Sequence, residues 1–195
     1  SQYWGQLPKL SKDKFDIKWL NLVDPSLDNN IKIIKKFLKK SNYKNSENHF
    51  FIESLISLRL MLEVLKIWIK LISIFLKIQK RLTLIRLNDI NIWQLFENDF
   101  KESFLGSQCI SNIFYNRLFE SCFKKLKNDN VLFLLNEGQG FEYSLISQWK
   151  KKSQNKIFSV RHATTRYWDL RYQVSKKFFN KNSFDCKLPI PSFYV

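Results

Sequence analysis

Cysteine is scarce: Cys109, Cys122 and Cys186 are the chain's three, too few and too scattered for a disulfide framework. A reducing cytoplasm is the compartment that fits. No Cys-x-x-Cys and no paired histidines occur, so the residues offer no zinc site and no metal is expected. Glycine is equally sparse, with four in 195 residues. Long apolar runs are missing as well. In Leu55 to Leu87, the most hydrophobic region, the longest uncharged run is Leu71 to Leu76, far below the roughly 20 residues of a membrane span. No secretory signal, internal repeat or low-complexity tract is visible. The chain lacks an initiator Met and closes on Leu188-Pro189-Ile190-Pro191-Ser192-Phe193-Tyr194-Val195, so it reads as an internal piece of a longer protein.

What is abundant is positive charge and aromatic surface. A hydrophobic content of 45%, with 16% aromatic residues, is ample for a core. The net charge of +16, from 33 basic and 17 acidic residues, favours anionic partners: the phosphates of a nucleotide, anionic lipid or nucleic acid. The abundance of Lys, Asn, Ile and Phe is also what a genome-wide composition bias produces, and that bias would account for much of the charge.

In chain order, Phe15 to Val23 alternates as a strand, stopped by Asp24-Pro25-Ser26. Ile31 to Lys40 has the spacing of a short basic amphipathic helix, and Ser41 to Asn48 is a polar loop. Over Leu55 to Leu87 the polar side chains Arg59, Glu63, Lys66, Lys70, Ser73, Lys77 and Lys80 recur at steps of three and four, one stripe on an otherwise apolar helix. Such a helix is expected to pack inside a domain; the alternative is a basic amphipathic helix resting on anionic lipid. Asn88 to Asp99 reads as a loop and a short helix, and Ile110 to Leu126 as a helix.

The organising stretch is Val131 to Tyr172. Val131-Leu132-Phe133-Leu134-Leu135 has the length and β propensity of a buried strand. Asn136-Glu137-Gly138-Gln139-Gly140 then places two glycines within three residues, a turn needing left-handed angles or a close approach. Phe141, Leu145, Ile146 and Trp149 fall at helical spacing, and Lys150-Lys151-Lys152 suits the negative end of a helix dipole. Lys156 to Val160 is a second strand, leading into Arg161-His162-Ala163-Thr164-Thr165-Arg166. The order strand, turn, helix, strand predicts an α/β fold with a parallel sheet, whose sites lie at the strand exits.

Chemistry is therefore sought at those exits. Glu137 and Glu142, five apart, could each remove a proton from an attacking hydroxyl; equally, Glu142 could complement the helix N-terminus and Glu137 cap the turn. The glycines could cradle a phosphate, but neither a GxGxxG nor a Walker Lys-Ser/Thr pair is present. His162 could hold a phosphate or shuttle a proton, or be structural. Arg161, Arg166 and Arg171 could neutralise an anion, and Tyr167 and Trp168 offer planar surfaces for a sugar or base. No Ser-His-Asp order, metal cluster or basic recognition helix emerges.

The run Asn136-Glu137-Gly138-Gln139-Gly140-Phe141-Glu142, the helix ending around Trp149, His162-Ala163-Thr164 and Tyr167-Trp168-Asp169-Leu170-Arg171-Tyr172 resemble a family of bacterial surface-carbohydrate biosynthesis proteins, glycosyltransferases of the GT-B type linked to O-antigen or capsule clusters. That family's pattern runs roughly Glu-Asn-Gln-x-Trp-Glu, helix, His-x-Thr, Trp-Asp-Leu-Arg-Tyr and Leu-Pro-x-Pro, the last matched by Leu188-Pro189-Ile190-Pro191. Trp19-Leu20 and Phe104-Leu105-Gly106 are also similar, though residues 131–191 carry the specific part. Two departures bear on the pocket: Gly138 or Gly140 replaces a larger residue, and Phe141 stands where Trp is usual.

The resemblance implies a Rossmann-like domain with a parallel sheet flanked by helices, the acceptor-side N-terminal half of a GT-B enzyme. Residues 1–187 would form it, incomplete at its start, and 188–195 would be a linker beginning a second domain. Glu142 would be the leading general base and Glu137 the second, with His162 and Arg166 stabilising donor phosphate or acceptor charge. Gln139, Gly140, Thr164, Trp168 and Arg171 would line the substrate. The partners implied are a nucleotide-sugar donor, with no further cofactor, and a carbohydrate or lipid-linked acceptor. The expected place is the cytoplasm, in contact with the inner face of an anionic membrane. The rival expectation is a basic nonenzymatic module binding nucleic acid or an anionic membrane.

Overall fold

The computed structural model describes residues 14–22, 48–84, 86–87, 89–126, 131–152, 156–161 and 189–194. The helix expected over Ile31 to Lys40 lies outside them. The chain divides into two compact units, Ser1–Ile56 and Ser57–Val195.

In the first unit, β1 (Lys18–Asn21) and β2 (Asn48–Phe51) pair in parallel, Trp19 opposite His49 and Leu20 opposite Phe50. The sequence reading has a strand at β1 but a loop ending at Asn48, because four residues that include a polar Asn and a His carry little β signal. A single 3-10 turn (Ile52–Leu55) follows, burying Ile52 completely.

The second unit opens with the long helix α1 (Leu58–Leu82). Ser57 caps it, its Oγ accepting the Leu60 N–H at 3.2 Å, so the helix starts three residues later than the apolar pattern does. A small hairpin, β3 (Arg86–Leu87) and β4 (Ile90–Asn91), turns at Asp89, whose φ of 66° is the left-handed value that Asp tolerates better than most residues. Asn91 Oδ1 then accepts the Trp93 N–H at 3.0 Å and leads into α2 (Trp93–Leu105). Gly106 separates α2 from α3 (Ser107–Lys125).

After α3 comes the stretch that organises the sequence. Strand β5 (Val131–Asn136), helix α4 (Gly140–Lys152) and strand β6 (Lys156–Arg161) form a β-α-β crossover with the strands parallel, Val131 opposite Lys156 through Asn136 opposite Arg161. Each strand runs one residue beyond its predicted end. β7 (Phe193–Tyr194), expected within the linker, pairs in parallel with β6 as the third strand of the same sheet. The described chain is thus α/β, with four helices and small parallel sheets.

Helix α3 sits at the centre of this unit, packed against α1, α2 and α4. It buries Cys109, Leu118, Phe119, Cys122 and Phe123, and α4 adds Leu145, Ile146 and Trp149. Phe123 meets Trp149 edge-on at 5.2 Å, a favoured aromatic geometry. A second aromatic cluster, Phe75, Trp93, Phe100 and Phe104, joins α1 to α2.

The sheet's two faces differ. Leu134, Asn136, Ile157 and Ser159 are buried on one; on the other Phe133, Phe158 and Phe193 stack across all three strands, and Phe133 and Phe193 are exposed. Helix α1 departs from expectation in the same way. It buries only Leu60, Val64 and Phe75, while most of its remaining apolar residues face outward. Among the described residues no helix is long and apolar enough to cross a membrane.

Candidate functional site

Strand β5 ends at Asn136, and the turn Glu137-Gly138-Gln139 carries the chain into α4 at Gly140. Gly138 has a φ of 77°, a left-handed value that explains the glycine. Its N–H donates to Asn136 Oδ1 and to Glu142 Oε2, both at 2.9 Å. Glu142 Oε2 also accepts the Gln139 N–H at 3.1 Å, and Oε1 accepts the Glu137 N–H at 2.8 Å. In return the Glu142 N–H donates to the Gln139 carbonyl at 3.1 Å. A glutamate at the third helical position reaching back to the N–H ahead of the helix is one half of a capping box. It reaches further than that, satisfying three consecutive amides with one carboxylate.

Glu142 is 3% exposed. Burial pushes its carboxyl above the usual carboxylate range, the amide bonds from Glu137, Gln139 and Gly138 pull it back, and the charge of Glu137 adds to the upward push. The positive end of a helix dipole and a set of convergent N–H groups would otherwise make a phosphate site. That position is filled by the chain's own anion.

Four of the residues singled out in the sequence meet at this strand exit: Glu137, Gln139, Gly140 and Glu142. Glu137 is half-buried and Gln139 exposed. Gly140 serves a close approach between helices, since a Cβ there would stand 2.7 Å from Asn112 Oδ1 on α3. His162, Thr164, Arg166, Trp168 and Arg171 lie outside the described residues. β6 ends beside the turn, Arg161 being the register partner of Asn136.

Two features escaped the sequence reading. Between α3 and α4 runs a polar seam: Gln148 Nε2 donates to Asn116 Oδ1 at 2.9 Å, and Ser144 Oγ donates to the Asn112 carbonyl at 3.5 Å. The spacing of four in Gly140, Ser144 and Gln148, matched by Asn112 and Asn116, was the available signal. In the first unit, His49 stacks on Trp19 with ring centroids 6.1 Å apart. Its Nδ1 lies 3.3 Å from Asn21 Nδ2.

Among the described residues no group of three His, Cys, Asp or Glu side chains could hold a metal ion. Cys109 and Cys122 are buried thiols, and burial pushes Cys109 up, away from the reactive thiolate. No family model, curated protein or solved structure matches the chain.

Proposed function

We propose that the chain is the acceptor-side, Rossmann-like part of a GT-B glycosyltransferase of surface-polysaccharide biosynthesis, moving a sugar from a nucleotide-sugar to a carbohydrate or lipid-linked hydroxyl. The observation that carries this reading is the parallel β5-α4-β6 crossover with an acidic turn at the strand exit, beside the end of β6. Open α/β sheets bind ligands at such exits.

Within this reading the two carboxylates divide the work differently from the sequence expectation. Glu142, enclosed and held by three amides, is a positioning residue that fixes the turn. Glu137, half-buried on that turn, is the carboxylate this reading assigns to take the acceptor proton as the hydroxyl attacks the anomeric carbon. His162 and Arg166 remain the groups assigned to donor phosphate or acceptor charge.

The test is donor turnover by the protein carrying this chain over a panel of CMP-, UDP- and GDP-sugars, with a lipid-linked acceptor included. Turnover of one donor, reduced about 100-fold or more in Glu137→Gln with an unchanged melting midpoint, supports the assignment. Absence of turnover with every donor ends it.

A further inference from the structure

On α1, Leu58, Leu62, Leu65, Ile69 and Leu76 are between 47% and 78% exposed. With the half-buried Ile72 between the last two, their spacing is four, three, four, three, four, which keeps all six on one side of the helix over about 27 Å. The face buried against the rest of the unit is a different one, carrying Leu60, Val64 and Phe75. Turned about 100° from the open stripe are Lys66, Lys70 and Lys77, all exposed, with Lys80 at the near edge. Among the described residues no acidic side chain pairs with these four lysines; the helix's one acid, Glu63, is engaged by Arg59 at 3.3 Å and lies 4.0 Å from Arg117.

We propose that α1 is a membrane-docking helix that lies flat on an anionic lipid bilayer, its leucine stripe sunk among the acyl chains and its lysine edge on the lipid phosphates. The helix is too short of apolar residues to cross, which leaves the surface orientation. Lysine stems lie along the apolar boundary while their ammonium groups reach the headgroups. A spacing of four and three would also suit a coiled coil with a second copy, and charge decides between the two. The positions flanking the stripe are Arg59, Lys66, Ser73 and Lys80 on one side and Met61, Trp68, Phe75 and Leu82 on the other. A parallel pair would set lysine against apolar side chains, and an antiparallel pair would set lysine against lysine. Neither supplies a counter-charge; anionic lipid does.

The proposal goes beyond the enzymatic reading and does not depend on it. The test is flotation of the full chain with phosphatidylcholine vesicles, with and without phosphatidylglycerol, at low and high salt. Binding is expected only to the vesicles containing phosphatidylglycerol. Leu62→Gln with Ile69→Gln should reduce partitioning about tenfold or more, and Lys66→Glu with Lys70→Glu and Lys77→Glu about 100-fold or more. All five positions are exposed, so circular dichroism should show an unchanged fold. Three outcomes overturn the proposal: no binding to either vesicle, full binding by the Leu62/Ile69 variant, or lipid-free self-association that the Leu62/Ile69 variant abolishes. Donor turnover measured without vesicles reports on the enzymatic reading separately.

Discussion

At the scale of single residues, Glu142 is the side chain on which the strand exit depends. Replacing it by Ala leaves the amides of Glu137, Gly138 and Gln139 without their carboxylate, and chemical denaturation at neutral pH should show a loss of about 1–3 kcal/mol. Its pH behaviour follows from the upward push of burial. A carboxyl whose folded value is raised favours the protonated folded state. Its contribution is present below the ordinary Glu value of about 4.3 and is lost as pH rises through the folded value. Wild-type stability should fall over that window relative to Glu142→Gln, whose neutral amide does not titrate; paired melts from acid to neutral pH measure the difference. Ser159 behaves in the opposite sense. Its Oγ is fully buried with no hydrogen-bond partner among the described residues, so Ser159→Ala should be neutral or raise stability by about 1 kcal/mol in the same assay.

At the scale of elements, the α3–α4 contact is where shape and polarity are most tightly specified. Gly140→Ala would bring a methyl within 2.7 Å of Asn112 Oδ1, the far end of a side chain that can swing aside, so unfolding experiments should show a change of less than about 1 kcal/mol. A double-mutant cycle on Gln148 and Asn116, both to Ala, should return a coupling of about 0.5–1.5 kcal/mol. Elements were legible where the signal is local. The apolar run of β5, the change of period at Phe141 and the lysines closing α4 identified the crossover to within a residue. β2 and the β3–β4 hairpin were not legible, because strands of two to four residues exist only through their pairing partners. For α1 the helical period is legible in the sequence and the environment is not. A helical pattern says which residues share a side, and with apolar residues around most of the circumference it does not say which side the core takes. The same ambiguity held for Glu142: a spacing of five from Glu137 is compatible with two groups facing a ligand, or with one folding back to hold the other's backbone.

For the whole molecule, charge is the property that the sequence states most directly. A net +16 on 195 residues works against compactness, since like charges are closer in the folded state than in the unfolded one. Raising ionic strength from low values should therefore raise the melting midpoint of the chain, with the gain levelling off as the Debye length falls to about 10 Å near 0.1 M salt. A calorimetric salt series reads this directly, and a midpoint that falls with salt would mean that attractive pairs such as Lys101–Glu97 and Lys124–Glu120 outweigh the repulsion. The division into Ser1–Ile56 and Ser57–Val195 sets a second expectation: residues 57–195 produced alone should keep their helical circular dichroism and melt in one transition.

The three amides gathered on Glu142 also define a receptor whose guest is covalently tethered. Cut the tether, as Glu142→Ala does, and the same N–H groups face an empty position at the positive end of α4. A small oxyanion such as formate or phosphate, supplied in the buffer, should then fit where the side chain was and restore part of the lost stability. The wild-type chain, with the position already occupied, should gain nothing specific from the same additive.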